Sequence, residues 1–151
     1  DNMKLKLSEV RNKLAALSTL HDKTFPAEME YSLIVNIDEL EEKARKIEQV
    51  AEKLREKYAK KDENGSIIYE KFKQNGIEMK RPIFTKENDE AFVEEYERLL
   101  EEEVEINVRM IDFELIEKCN STDRYDVPNV RELKAMRFMI TKRGDPDVSG
   151  K

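Results

Sequence analysis

A heptad seam constrains this chain more than any other feature. Between Pro26 and Lys61 the apolar residues fall at Met29, Leu33, Ile37, Leu40, Ala44, Ile47, Ala51, Leu54 and Tyr58, in steps of four and three that alternate almost without a break. An α-helix turns once in about 3.6 residues, so this spacing lays one continuous apolar stripe along a helix. Thr24 is placed to cap its start, Pro26 suits a first turn, and Glu28 and Glu30 sit where the helix dipole favours negative charge. The sequence therefore predicts one long helix from Pro26 to about Lys61.

Such a helix is long for its chain. Its 36 residues would span about 54 Å at a rise of 1.5 Å each. A compact domain of 151 residues has a diameter of about 40 Å. Either other helices run beside it end to end, or part of the seam (Leu33, Ile37, Leu40, Ile47, Leu54, Tyr58) is left for a partner. A second copy of the chain is the simplest such partner, and an elongated monomer is the alternative.

Charge along the helix is sorted. Glu28 to Glu42 holds six acids and no base, and Lys43 to Lys61 holds eight bases against three acids. That order matches the macrodipole, and pairs such as Glu39–Lys43, Glu41–Arg45, Glu42–Lys46 and Glu56–Lys60 have the favourable i,i+4 orientation. Each contributes only about 0.2–0.5 kcal/mol. A helix that solvates and stabilises itself accounts for the pattern.

The flanking segments predict shorter elements. Lys4 to Leu7 alternates as a short strand would, and Ser8 is a good cap for a first helix over 9–20, with Val10, Leu14 and Leu17 on one face. The connector His21 to Phe25 is short enough to fold that helix back on the long one. After the long helix, Ile67 to Phe84 reads either as a hairpin turning at Asn75-Gly76 or as an irregular loop, with Pro82 confining any second strand to an edge. Thr85 caps a third helix over 87–102, in which Phe92, Tyr96, Leu99 and Leu100 form the buried face.

Val104, Ile106, Val108 and Met110 alternate with polar residues and mark the clearest strand, expected to pair with the Ile67 or Ile77 region. Ile111 to Ile116 is apolar without a clean period, Asn120 to Asp126 is a loop, and Pro128 opens a last short helix. The fold expected is α+β and mainly helical, a single domain over 3–140 followed by a tail over 141–151. Asp1 and Asn2 precede Met3, which reads as the natural start.

Composition excludes several classes. Net charge is −6, which opposes non-specific binding to nucleic acid or to an anionic membrane. No apolar run reaches the length of a membrane span and no signal peptide is evident. Cys119 is the only cysteine, which rules out an internal disulfide and suits a reducing cytoplasm. One His and one Cys cannot build a metal site, no glycine-rich loop precedes a helix, and no two of the many carboxylates stand out as an acid–base pair. No catalytic residue, cofactor or metal is therefore expected. His21-Asp22 reads as a turn pair, Cys119 as a small buried thiol, and Arg143-Gly144-Asp145 as a chance tripeptide.

The strongest one-sided charge lies from Lys86 to Glu105, with ten acids and two bases. It reads first as a solvated face opposite the basic end of the long helix. It also offers a docking surface for a basic partner around Glu94, Glu95, Glu101 and Glu102.

The opening Met3-Lys4-Leu5-Lys6-Leu7-Ser8, the helix entry Phe25-Pro26-Ala27, and the exit Leu54-Arg55-Glu56-Lys57-Tyr58 followed by Lys61-Asp62-Glu63-Asn64-Gly65 carry a resemblance. The chain resembles a family of uncharacterised proteins from tailed phages and prophages of Gram-positive bacteria. The later layout, an acidic helix running into Glu103-Val104-Glu105-Ile106 and a short final helix, is similar as well. The family brings no activity and no functional residues. It implies a phage gene product in the cytoplasm of an infected bacterium, or in the virion.

Residues and resemblance together lead to a non-enzymatic phage protein that acts through protein–protein contacts, in virion assembly or as an accessory factor. The alternative is an inhibitor of a host defence or nucleic-acid-binding protein through the acidic helix. The expected partner is a phage or host protein or a second copy, with no direct contact to nucleic acid or membrane.

Overall fold

A computed structural model describes residues 1–141. The fold is α+β and mainly helical. In order, the chain forms β1 (Asn2–Lys6), α1 (Leu7–Ser18), α2 (Ala27–Tyr58), β2 (Tyr69–Gln74), β3 (Ile77–Pro82), α3 (Lys86–Leu100), β4 (Glu103–Asn107), α4 (Phe113–Cys119), α5 (Val130–Met136) and a 3₁₀ turn, Arg137–Met139. It divides into two compact units, Asp1–Ala44 with the segment from Glu103 onward, and Arg45–Glu102. The boundary falls within α2. The length of the helix thus has a local answer: its first half belongs to one unit and its second half to the other. The expected tail, with Arg143-Gly144-Asp145, lies outside the described residues apart from Thr141.

The first unit is built around an antiparallel pair, β1 with β4. Met3 faces Ile106 and Leu5 faces Val104, so one side of this small sheet is apolar. This corrects the expectation that β4 pairs near Ile67 or Ile77. Ile77 pairs with Gln74 across a two-residue turn and Ile67 bridges Lys61 across a slightly longer one, and closing such short loops costs little entropy. β1 has the matching alternation and takes β4 instead. Asp1 and Asn2 join the same ladder: Asn2 faces Asn107, and Val108 N donates to Asp1 O at 2.6 Å.

Helix α1 begins one residue before the expected cap. Lys6 is the N-cap, its backbone N–H donates to Glu9 Oε1 at 2.8 Å, and Ser8 lies inside the helix. The backbone of α1 comes closest to β1 and α5. Its side chains Val10 and Leu17 still reach the common core with Leu5, Phe25, Met29, Leu33, Leu40, Ile106, Ile111, Cys119, Met136 and Met139. Thr24 does not cap α2 either. Its N–H donates to Asp126 Oδ2 at 2.7 Å, and Phe25 N donates to Glu30 Oε2 at 3.1 Å.

A buried polar node joins α2 to the segment after β4. Asn36, only 2% exposed, accepts from Arg109 N at 2.8 Å and donates to Arg109 O at 3.0 Å. Its Nδ2 also lies 3.3 Å from Met139 Sδ. Arg109 Nε donates to Ser32 Oγ at 3.1 Å, and the guanidinium rests over the Tyr31 ring at 4.9 Å. One turn further on, Glu39 accepts from Asn107 N at 2.9 Å.

In the second unit the seam continues through Ile47, Ala51 and Leu54, all buried. β2 and β3 form the hairpin. Asn75 and Gly76 both have positive φ (54° and 79°), as the two-residue turn that matches strand twist requires. Thr85 caps α3 as expected, accepting from Asn88 N at 3.1 Å. No residue of α3 is fully buried; Phe84, Phe92 and Tyr96 stack along it with centroids 5.3 and 5.9 Å apart.

The polar node makes a direct prediction. Asn36→Ala would leave a backbone N–H and a C=O of Arg109 without partners at a part-buried site. An orphaned group costs about 1–3 kcal/mol, so the variant should lose about 1–3 kcal/mol in urea unfolding. A loss below about 0.5 kcal/mol, the range of a neutral surface change, would show that the node does not hold the unit together.

Candidate protein-docking site

The seam proposed as a partner surface is occupied within the chain. Leu33 and Leu40 lie in the core of the first unit, Ile47 and Leu54 are buried in the second, and Ile37 and Tyr58 are half-buried. A partner meeting Leu40, Ile47 or Leu54 would have to displace the chain's own side chains, whereas Leu33 and Ile37 also line an open groove. What stays uncovered is the adjacent face of α2. Tyr31 and Ile34 are 57% and 58% exposed although they lie in an apolar turn of the helix.

That face borders a groove of about 310 Å³ in the first unit, lined by Leu20, Phe25, Leu33, Ile34 and Ile37, with His21, Lys23 and Glu30 at its polar rim. Among the described residues nothing covers the outer side of Ile34 on α2. The connector supplies the opposite wall. Leu20 and Phe25 point inward and are 3% and 2% exposed, leaving an apolar floor.

The wall is held from outside. Thr24 and Asp126 exchange two hydrogen bonds, Thr24 N to Asp126 Oδ2 at 2.7 Å and Asp126 N to Thr24 O at 2.8 Å. Lys23 Nζ lies 3.1 Å from Glu132 Oε2, and Glu132 also closes the capping box of α5 with Asn129. His21 Nδ1 donates to Ser18 O at 2.8 Å, while Nε2 lies 3.1 Å from Asp22, so this pair acts as a turn clasp. A wall fixed by this many contacts keeps the groove open before anything binds, which lowers the entropic cost of docking.

The acidic surface of α3 is less free than the sequence suggests. Glu95 is tied inside its own unit: Tyr58 Oη donates to Glu95 Oε2, and Lys57 Nζ donates to the same oxygen at 3.1 Å. These two donors, the tyrosine first, hold the Glu95 carboxyl below the usual carboxylate range, and the Lys57 ammonium is raised in turn, chiefly by Glu95. Glu94 lies 3.5 Å from Arg98. Glu101 and Glu102 are exposed at the end of the helix. On α2, the pair Glu39–Lys43 forms at 3.8 Å, whereas Arg55 turns back to Glu48 and Glu52.

Chemistry-bearing groups are sparse elsewhere. Cys119 is fully buried, with Sγ 3.3 Å from Leu115 O and 4.0 Å from Met29 Sδ, and burial pushes its thiol up. Among the described residues no group of three or more His, Cys, Asp or Glu converges as a metal site, and no helix is long and apolar enough to cross a membrane. The groove residues Leu20, Phe25 and Ile34 were not singled out from the sequence. The one available signal was the apolar turn Leu33-Ile34-Val35, too wide for a single buried stripe.

Comparison with protein-family models, with curated proteins and with solved structures finds no match to this chain.

Two outcomes follow from these geometries. A carboxyl depressed in the folded state adds stability above its unfolded pKa and loses it as pH falls through the folded pKa. Acid unfolding of the native chain should therefore be steeper than that of Glu95→Gln below the ordinary carboxylate range; coincident profiles would remove Glu95 from the stability of its unit. For Cys119, a thiol reagent at neutral pH should label native protein at least about a hundredfold more slowly than protein in denaturant, because access requires opening of the core. Equal rates would place the thiol at the surface.

Proposed function

We propose that this chain is a non-enzymatic protein-binding protein that docks a partner in the groove beside Ile34. The observation that carries the reading is the exposed Ile34 above a preformed apolar floor of Leu20, Phe25 and Leu33. A large aliphatic side chain left in water next to an apolar groove is a feature of binding surfaces. The resemblance carried by Met3 to Ser8 and by Phe25-Pro26-Ala27 makes it a phage product. Its place is then the cytoplasm of an infected bacterium or the virion, and its role is in assembly or as an accessory factor.

Self-association through the heptad seam has weaker support, because Leu33, Leu40, Ile47 and Leu54 are already buried. Inhibition of a basic host protein through α3 has Glu101 and Glu102 in its favour, since both are exposed, while Glu95 is engaged internally.

The test is paired affinity capture with native protein and with Ile34→Ser, from infected and uninfected cells. A protein retained by the native chain and lost with Ile34→Ser is expected. Virion components captured only after infection would fix an assembly role. Identical captures by both chains, with the variant folded by circular dichroism, would overturn the groove as the docking site.

A further inference from the structure

We propose that the occupant of the groove is a single amphipathic helix of basic character, and that a second copy of this chain is disfavoured there. This inference rests on the docking reading above and names the partner's chemistry. The first argument is shape. The groove runs along α2 past Glu30, Leu33, Ile34 and Ile37, the positions i, i+3, i+4 and i+7 of one helix face. A helix fills such a gap by laying side chains at i, i+3, i+4 and i+7 into it. Ile34, Ile37 and Leu33 on one side, with Leu20 and Phe25 on the other, offer apolar contacts along that line.

The second argument is charge. The half of α2 that forms the groove carries Glu28, Glu30, Asp38, Glu39, Glu41 and Glu42 and no base. On the opposite wall, Lys23 pairs with Glu132 and His21 with Asp22. Asp38 and Glu41, four and seven residues beyond Ile34 and so on the same side of the helix, are exposed. Two copies of α2 meeting across Ile34 would bring these acids face to face, a like-charge juxtaposition that disfavours the pairing. Lysines and arginines flanking the apolar face of an incoming helix would meet them with opposite charge. The acids then set both the on-rate and the choice of partner, while Ile34 and its neighbours hold the complex.

The experiment uses the full chain and designed peptides of about 15 residues, long enough for the i to i+7 anchors of a docked helix. One peptide carries leucines at i, i+3, i+4 and i+7 with lysines on its flanks. The second replaces those lysines with glutamates, and the third keeps the lysines but scrambles the leucine spacing. Binding is read by fluorescence anisotropy at low and high salt and by amide shifts of Leu20, Phe25 and Ile34.

The basic amphipathic peptide is expected to bind, to shift those three residues, and to bind about tenfold more weakly to Ile34→Ser. Raising salt should weaken it, and the other two peptides should bind at least about tenfold more weakly than the first. Equal binding of the glutamate peptide, or of the scrambled one, would overturn the inference and leave the groove as a docking site of other specificity. So would concentration-dependent dimerisation by light scattering that Ile34→Ser abolishes, since the occupant would then be a second copy. Failure of every peptide overturns the inference alone; an Ile34-dependent protein captured from cells would still support the docking reading.

Discussion

The first unit hangs on one buried amide. Asn36 holds both backbone groups of Arg109, and that two-way clasp fixes the chain after β4 against the middle of α2. Backbone at this point has left the ladder of β1 and β4, so its N–H and C=O have no strand to pair with. A side-chain amide carries one acceptor and two donor hydrogens on a short stem, which is what an isolated peptide unit needs. Ser32 and Tyr31, a turn earlier, receive the side chain of the same arginine. Next to this polar stripe, Met29, Leu33 and Leu40 form an apolar one directed into the core. One helix thus presents two inward faces, and the apolar residues that fit neither, Ile34 above all, are left outside.

The parts of this arrangement that depend on local chemistry were legible in the sequence. The heptad spacing marked α2 to within a few residues. Asn75-Gly76 offered a hairpin turn, because few other residues accept positive φ at two successive positions, while an irregular loop stayed open until the fold chose. Thr85 marked the start of α3 through the hydrogen bond it makes to Asn88. Long-range pairing was not legible. β4 could have met any strand with the same alternation, and only the fold chooses β1, about a hundred residues away. Helix α4 was missed because seven residues are under two full turns, too few to show a period. The groove was hidden for a related reason: Leu20, Phe25 and Ile34 are ordinary apolar positions in the sequence, and only the fold brings them together.

The second unit is put together on different terms. Its fully buried apolar side chains, Ile47, Ala51, Leu54 and Ala59, come from the second half of α2 and the turn after it. α3 contributes none, and its aromatic row is half-covered. Contacts at the edge therefore matter more here than in the first unit. Tyr58, Lys57 and Glu95 tie the end of α2 to the middle of α3, and Asn88, two turns earlier on α3, donates to Tyr58 O at 3.2 Å. Lys60 N donates to Ile83 O, and Ile68 N to Lys60 O, which stitches the base of the hairpin to the exit of the helix. Beyond that base the hairpin is wet on both sides, with Ile77 and Met79 65% and 44% exposed. A unit of this kind draws on polar ties more than on a closed core, and so its stability follows pH and salt more closely.

Charge sorting along α2 takes on a second meaning once the exposed face is known. As self-stabilisation the arrangement is modest, since a dipole contact or an i,i+4 pair contributes only tenths of a kcal/mol, and one of the expected pairs, Glu39–Lys43, spans 3.8 Å. Spreading bases evenly through the helix would have kept solubility and allowed more pairs. Instead the half of α2 that exposes Ile34 holds six acids and no base, with Asp38 and Glu41 on the Ile34 side of the helix. An exposed apolar strip tends to find another like itself. Acids around it make that encounter repulsive for two copies and attractive for a partner of opposite sign. On the docking proposed above, the same residues that give α2 a well-matched dipole would disfavour self-association at Ile34 and favour a basic partner.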